Sequence, residues 1–195
     1  MMPIPHSMMT RRRWLWLGAG LAASMRARAA HGDLGRLDPA RQPPGLPLTL
    51  HDGRQTTLQA VLEGRVTAVQ LMFTSCSATC TIQGATFAAL QDHLTAQVSR
   101  GQLLSVSIDP LGDDAKSLSA WRAKFGAKAH WIAAVPPMRQ ADVMLDFLSG
   151  RAKGADRHTA QTYLFDTGGR FIYRVAELAS ARDIATVMGQ ISRAS

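Results

Sequence analysis

The apolar positions change period several times along the chain, and each change marks an element. Residues 48–58 alternate apolar and polar around Asp52-Gly53, a dipeptide that suits a tight turn, so this stretch predicts a β-hairpin. Residues 66–73 are mostly apolar and read as a buried strand. Residues 81–98 follow with Ile82, Phe87, Leu90 and Leu94 near helical spacing. A second buried strand is expected over 103–108. A helix is expected over 113–125, with Leu118, Trp121, Arg122 and Phe125 near one face and Gly126 as its stop. A short helix over 142–148 ends at Gly150, and 162–165 and 171–175 form a hairpin across Asp166-Thr167-Gly168-Gly169-Arg170. The last helix starts near Ser180, with Ile184, Val187 and Ile191 facing inward. Strand and helix alternate first and a hairpin follows, so the order predicts a mixed sheet with helices on both faces.

Composition agrees with a folded domain. The chain has 195 residues, 46% hydrophobic and 18% charged, enough to bury a sizeable core. Together with the element order, this makes the expected class α/β: a thioredoxin-like mixed sheet flanked by helices, with an added N-terminal β-hairpin. The net charge of +8 invites a nucleic-acid reading, but Arg11, Arg12, Arg13, Arg26 and Arg28 all lie in the first 29 residues, where there is no Asp or Glu. Setting those five aside leaves 17 basic and 14 acidic residues, a net of +3, and the nucleic-acid reading loses its support.

That basic segment has the layout of an export signal. Thr10-Arg11-Arg12-Arg13-Trp14-Leu15 carries a twin-arginine arrangement, residues 14–24 form a short apolar core, and Ala27-Arg28-Ala29 supplies small residues for cleavage after Ala29. An uncleaved membrane tether is the competing reading. Residues 30–47 include Asp38-Pro39 and Pro43-Pro44-Gly45-Leu46-Pro47, too rich in proline for a helix or a central strand, and are expected to link residues 1–29 to a domain over 48–195. The expected location is periplasmic.

The chain keeps only two cysteines, Cys76 and Cys80, placed together after the first long strand. If the second lies in the first turn of a helix, both sulfurs reach one point, where a helix N-terminus favours thiolate. That point suits a soft metal or a redox disulfide. In an oxidising compartment the pair closes to a disulfide unless a reductant or a bound metal intervenes, so redox-dependent activity is expected. A purely structural disulfide is a poor account, because so short a loop restricts the unfolded chain little.

The strand-Cys-x-x-x-Cys-helix unit, Val106-Ser107-Ile108-Asp109-Pro110, and the run from His158 through Thr162-Tyr163-Leu164-Phe165 to Arg170 together resemble the Sco/SenC family. The resemblance implies a thioredoxin fold in a membrane-associated or periplasmic protein. It also implies one copper held by two cysteines and a distant histidine, here Cys76, Cys80 and His158, and assistance to the CuA centre of cytochrome c oxidase. The implied partners are a cuproprotein acceptor such as cytochrome c oxidase subunit II and a thioredoxin-like reductant. Two thiolates with an imidazole suit Cu(I) and also accept Cu(II), whereas a closed zinc site normally takes four protein ligands.

Other residues have plainer readings. His31, His51, His93 and His130 show no ligand spacing and are expected at the surface. Asp109, Asp113 and Asp114 form an acidic loop best explained by turn and helix-capping chemistry, and Met72, Trp121 and Trp131 are expected in the core. Three function classes compete: a copper-delivering assembly factor without catalytic activity, a thiol-disulfide reductase, and a peroxidase of the peroxiredoxin type. The cysteines are one residue further apart than in thioredoxins, and no proline precedes the 161–165 stretch, which weighs against the reductase. Phe73 stands where the peroxidase motif has proline. Metal binding is preferred.

Overall fold

A computed structural model describes residues 34–98, 100–153 and 157–195. The expected signal over 1–29, and His31, lie outside them. One sheet of eight strands runs in the order β1-β8-β7-β4-β5-β6-β2-β3. Its members are β1 Gly35–Arg41, β2 Pro47–Leu50, β3 Gln55–Thr57, β4 Val66–Met72, β5 Gly101–Ser107, β6 Trp131–Val135, β7 Thr162–Phe165 and β8 Phe171–Val175. Five helices accompany it: α1 Leu58–Leu62, α2 Thr79–Gln97, α3 Ala115–Lys124, α4 Met138–Leu148 and α5 Ala181–Ala194.

The centre of the sheet is parallel. Val66 to Met72 of β4 pair with Gly101 to Ser107 of β5, and Leu103 to Val106 pair with Trp131 to Ala134 of β6. β7 runs antiparallel to β4 on the other side, and β8 antiparallel to β7. Every residue of β4 is buried, which explains its nearly continuous apolar run. The hairpin expected at Asp52-Gly53 is β2 and β3, with Gly53 at φ 84° and Leu48 opposite Thr56.

Helices cover both faces. On one, Phe87 and Leu90 of α2, Leu118 and Trp121 of α3, and Ile184 and Met188 of α5 pack against Ala68, Met72, Leu103 and Trp131. Trp131 meets Phe87 and Trp121 edge-on, with ring centroids 5.7 and 5.6 Å apart. Met72 and both tryptophans therefore belong to the core as expected. Truncating Phe87 at this junction would cost about 3–5 kcal/mol. On the other face Leu58 and Leu62 of α1 and Met144 and Leu148 of α4 cover Val69, Leu71, Phe165 and Phe171. No described helix is long and apolar enough to cross a membrane.

Four features depart from the sequence reading. Part of the expected linker is strand β1, which pairs with β8 from Gly35 opposite Arg174 to Arg41 opposite Phe171; Pro39 is tolerated because this is the sheet edge. β6 and α1 were not expected, being short segments without a distinctive period. α4 begins at Met138, just behind Pro137, and is longer than the expected 142–148. α2 begins at Thr79, so Cys80 stands in its first turn while Cys76 alone remains in the loop.

Candidate metal centre

The end of β4 places the cysteines. The strand stops at Met72, whose carbonyl accepts Ile108 N–H at 2.9 Å, and the chain turns through Phe73 to Ala78 before α2 begins. This is the carboxyl end of the parallel strands, where loops gather and α/β sheets place their chemistry. α2 has no side-chain N-cap; instead the Cys76 sulfur takes the Cys80 backbone N–H at 3.4 Å. One sulfur thus sits at the positive end of a helix of 19 residues, in the place an anion would occupy. Cys76 is half-buried and Cys80 fully buried.

His158 arrives from the other side of the sheet. A single bridge pairs it with Arg151, Thr159 N–H donates to the Gly150 carbonyl at 2.8 Å, and Ala160 accepts Leu178 N–H at 3.2 Å. The imidazole is 3% exposed and meets Phe73 edge-on at 6.1 Å. Its Nε2 lies 3.5 Å from the Cys80 sulfur, and its Nδ1 lies 3.0 Å from the Thr159 carbonyl oxygen. A carbonyl only accepts, so Nδ1 carries a proton, and in the neutral imidazole Nε2 then turns its lone pair to the sulfur. An imidazole anchored through one nitrogen, with the other facing a thiol, is the arrangement that metal-binding histidines use.

The sequence-predicted residues are thus brought together as a pair and a neighbour. Cys80 and His158 meet, and Cys76 is joined to Cys80 through its main chain. Among the described residues no group of three His, Cys, Asp or Glu side chains forms a ready-made cage. The donor chemistry fits a soft ion: two sulfurs and one neutral imidazole nitrogen, with Cys76 giving access from outside.

Asp113 plays a part that the sequence reading missed. Asp114 is the N-cap of α3, in a capping box with Ser117, as expected of this loop. Asp113 does not cap. Its side chain is buried and accepts from Thr74 N–H at 3.0 Å, from the Thr74 hydroxyl, and from the Ser107 hydroxyl at 2.6 Å. It therefore ties the start of the cysteine loop to the end of β5. Below His158, the Thr159 hydroxyl bonds the Tyr163 hydroxyl at 2.7 Å, and burial pushes the Tyr163 phenol up to about 12. His51 and His130 are half-buried, not simply exposed, and burial first, then a neighbouring cation, holds each below the usual imidazole range.

The family description SCO1/SenC matches residues 44–193, a span that takes in both cysteines, Asp113 and His158. Among solved structures, a SCO1/SenC family lipoprotein from Bacillus anthracis is 22% identical with a TM-score of 0.69, over 80% of this chain and 99% of that one. Arabidopsis thaliana ScoI with copper bound is 16% identical with a TM-score of 0.67, over 78% of this chain and 99% of that one. Yeast Sco1 with copper bound is 13% identical with a TM-score of 0.68, over 80% and 90%. At these identities the likeness is one of fold, and the fold is thioredoxin-like. A comparison with curated proteins gives no match. With the family description covering β2 to β8 and the strand-Cys-x-x-x-Cys-helix unit at its centre, the chain belongs to the SCO1/SenC family.

Proposed function

We propose that this protein is a copper-binding assembly factor that delivers its metal to an exported cuproprotein, the CuA centre of cytochrome c oxidase being the acceptor the family suggests. Cys76, Cys80 and His158 hold the ion, which is cargo and not a resident cofactor. The observation that carries the reading is the 3.5 Å approach of His158 Nε2 to the Cys80 sulfur, with Nδ1 anchored on a carbonyl. Binding displaces the protons of both thiols, so it strengthens as pH rises and requires the pair to be reduced. The half-buried Cys76 is where an acceptor's ligand first reaches the ion, and exchange then proceeds one ligand at a time. No bond of a substrate is made or broken, so the protein is not an enzyme in this reading. Residues 1–29 act as a twin-arginine signal or tether, placing the domain in the periplasm, where a thioredoxin-like reductant keeps the cysteines open. Support for export comes from the sequence pattern alone.

The test is anaerobic titration of the reduced protein with Cu(I) and Cu(II), following stoichiometry and the sulfur-to-Cu(II) charge-transfer absorption. One tightly held copper is expected. Cys76→Ser and Cys80→Ser should abolish it, and His158→Ala should weaken Cu(II) more than Cu(I), because two thiolates alone can hold Cu(I). Wild-type binding by all three variants would overturn the assignment. Absence of copper binding together with a readily reduced disulfide would place the protein with the thiol-disulfide reductases.

A further inference from the structure

The core behind the Cys80–His158 pair is more polar than a helix-on-sheet core usually is. Gln70 lies in the middle of β4 and is 0% exposed; Gln83, one turn beyond Cys80 on α2, is 4% exposed. Gln70 Nε2 donates to the Ser105 hydroxyl at 2.8 Å, and the same hydroxyl accepts from Trp131 Nε1 at 2.9 Å. A polar chain therefore runs along the sheet from β6 through β5 to β4. Its next atoms, Gln70 Oε1 and both polar atoms of the Gln83 amide, are buried and meet no donor or acceptor among the described residues.

Gln70 and Gln83 also line one small, partly open recess, about 10 Å³ in volume, walled further by Thr86, Thr162, Ala160 and the exposed Leu178. That volume stands at the lower bound for a single water, and a cavity of this size fills only when several polar groups converge on it. Here they do. Buried amides are rarely left unpaired, and ordered water is the usual partner where protein supplies none.

We propose that Gln70 and Gln83 hold one internal water molecule behind the Cys80–His158 pair. The water donates to Gln70 Oε1 and meets the Gln83 amide, which offers it both a donor and an acceptor; Thr86 and Thr162 are the remaining polar residues on the wall. This extends the Trp131–Ser105–Gln70 chain into α2, so the helix that carries Cys80 is hydrogen-bonded to the sheet through solvent. The inference does not depend on copper.

Magnetic relaxation dispersion of ¹⁷O and ²H on the full chain, reduced and metal-free, counts long-lived internal waters. The wild type should show one more than Gln83→Met, a substitution close in shape that removes both polar atoms. A high-resolution crystal structure should show one ordered solvent peak within hydrogen-bond distance of both glutamines. Equal water counts, or a direct Gln70–Gln83 amide contact without solvent, would overturn the proposal. Stability gives a second reading. Gln70→Leu and Gln83→Met should each lower the urea midpoint, and the double variant should fall by less than the sum of the two shifts, since each single change strands the other's bridge. Strictly additive shifts would count against a shared water.

Discussion

The loop carrying Cys76 and the loop carrying His158 meet at one point but are held by different kinds of bond. The cysteine loop hangs on a side chain: Thr74 gives its N–H and its hydroxyl to Asp113, and Ser107 gives its hydroxyl to the same carboxyl group. The histidine loop hangs on main chain. Thr159 N–H meets Gly150 O at 2.8 Å, Ala152 N–H meets Arg157 O at 3.1 Å, and Leu178 N–H meets Ala160 O at 3.2 Å. A side-chain anchor is lost with one substitution, whereas main-chain bonds survive most of them. The imidazole loop is therefore fixed by main chain, whereas the cysteine loop, which has its own local bond from Cys76 N–H to the Phe73 carbonyl at 3.2 Å, is tied to β5 through one carboxyl group.

Asp113→Ala breaks this arrangement most directly. Removing a buried acceptor of three bonds strands the Thr74 and Ser107 donors and should cost about 3 kcal/mol in urea unfolding. It should also speed Cys76 alkylation at least tenfold, because the loop loses its anchor. Cys76 alkylation unchanged from wild type would show that the loop is held by other contacts.

High pH tests the histidine side. Tyr163, which braces Thr159, has its phenol raised from the usual 10.0 to about 12 by burial. A raised phenol favours the folded state fully below pH 10.0, and that contribution is lost as pH rises through about 12. Roughly 2–3 kcal/mol of stability should disappear across the window. Tyr163→Phe should flatten the decline; the same decline in both proteins would remove Tyr163 from the account.

Thr74→Val sharpens the contrast with the smallest change. It deletes the hydroxyl bond to Asp113 and keeps the main-chain one, so about 1 kcal/mol should be lost. A shift as large as that of Asp113→Ala would mean that the hydroxyl, and not the carboxyl group, is the anchor.

Much of the fold was legible because its signals are local. The β7–β8 hairpin has the expected bounds, and Ser180 caps α5 by accepting Asp183 N–H at 3.2 Å. β6 was not legible, because Trp131–Val135 is brief and runs into two prolines, and β1 hid in a proline-bearing stretch that only an edge can accommodate. The cysteine pair was plain from adjacency. His158, 78 positions from Cys80, was reached only through a family resemblance, since no local rule joins residues that far apart. Asp113 was misread because an acidic residue ahead of a helix looks like a cap, and only the fold separates it from Asp114. Gln70 carried a visible signal, an amide inside an otherwise apolar strand, whose meaning needed the recess beside it.

The outermost strands carry a consequence of their own. An open sheet presents two rims of unpaired main-chain groups on which a foreign strand can grow. Here one rim is β3, three residues long and polar; the other is β1, where Pro39 offers no N–H and the register shifts between Arg36 and Arg41. Neither makes a good template. The molecule can therefore present a half-buried sulfur at one end of its sheet without inviting polymerisation along its flanks.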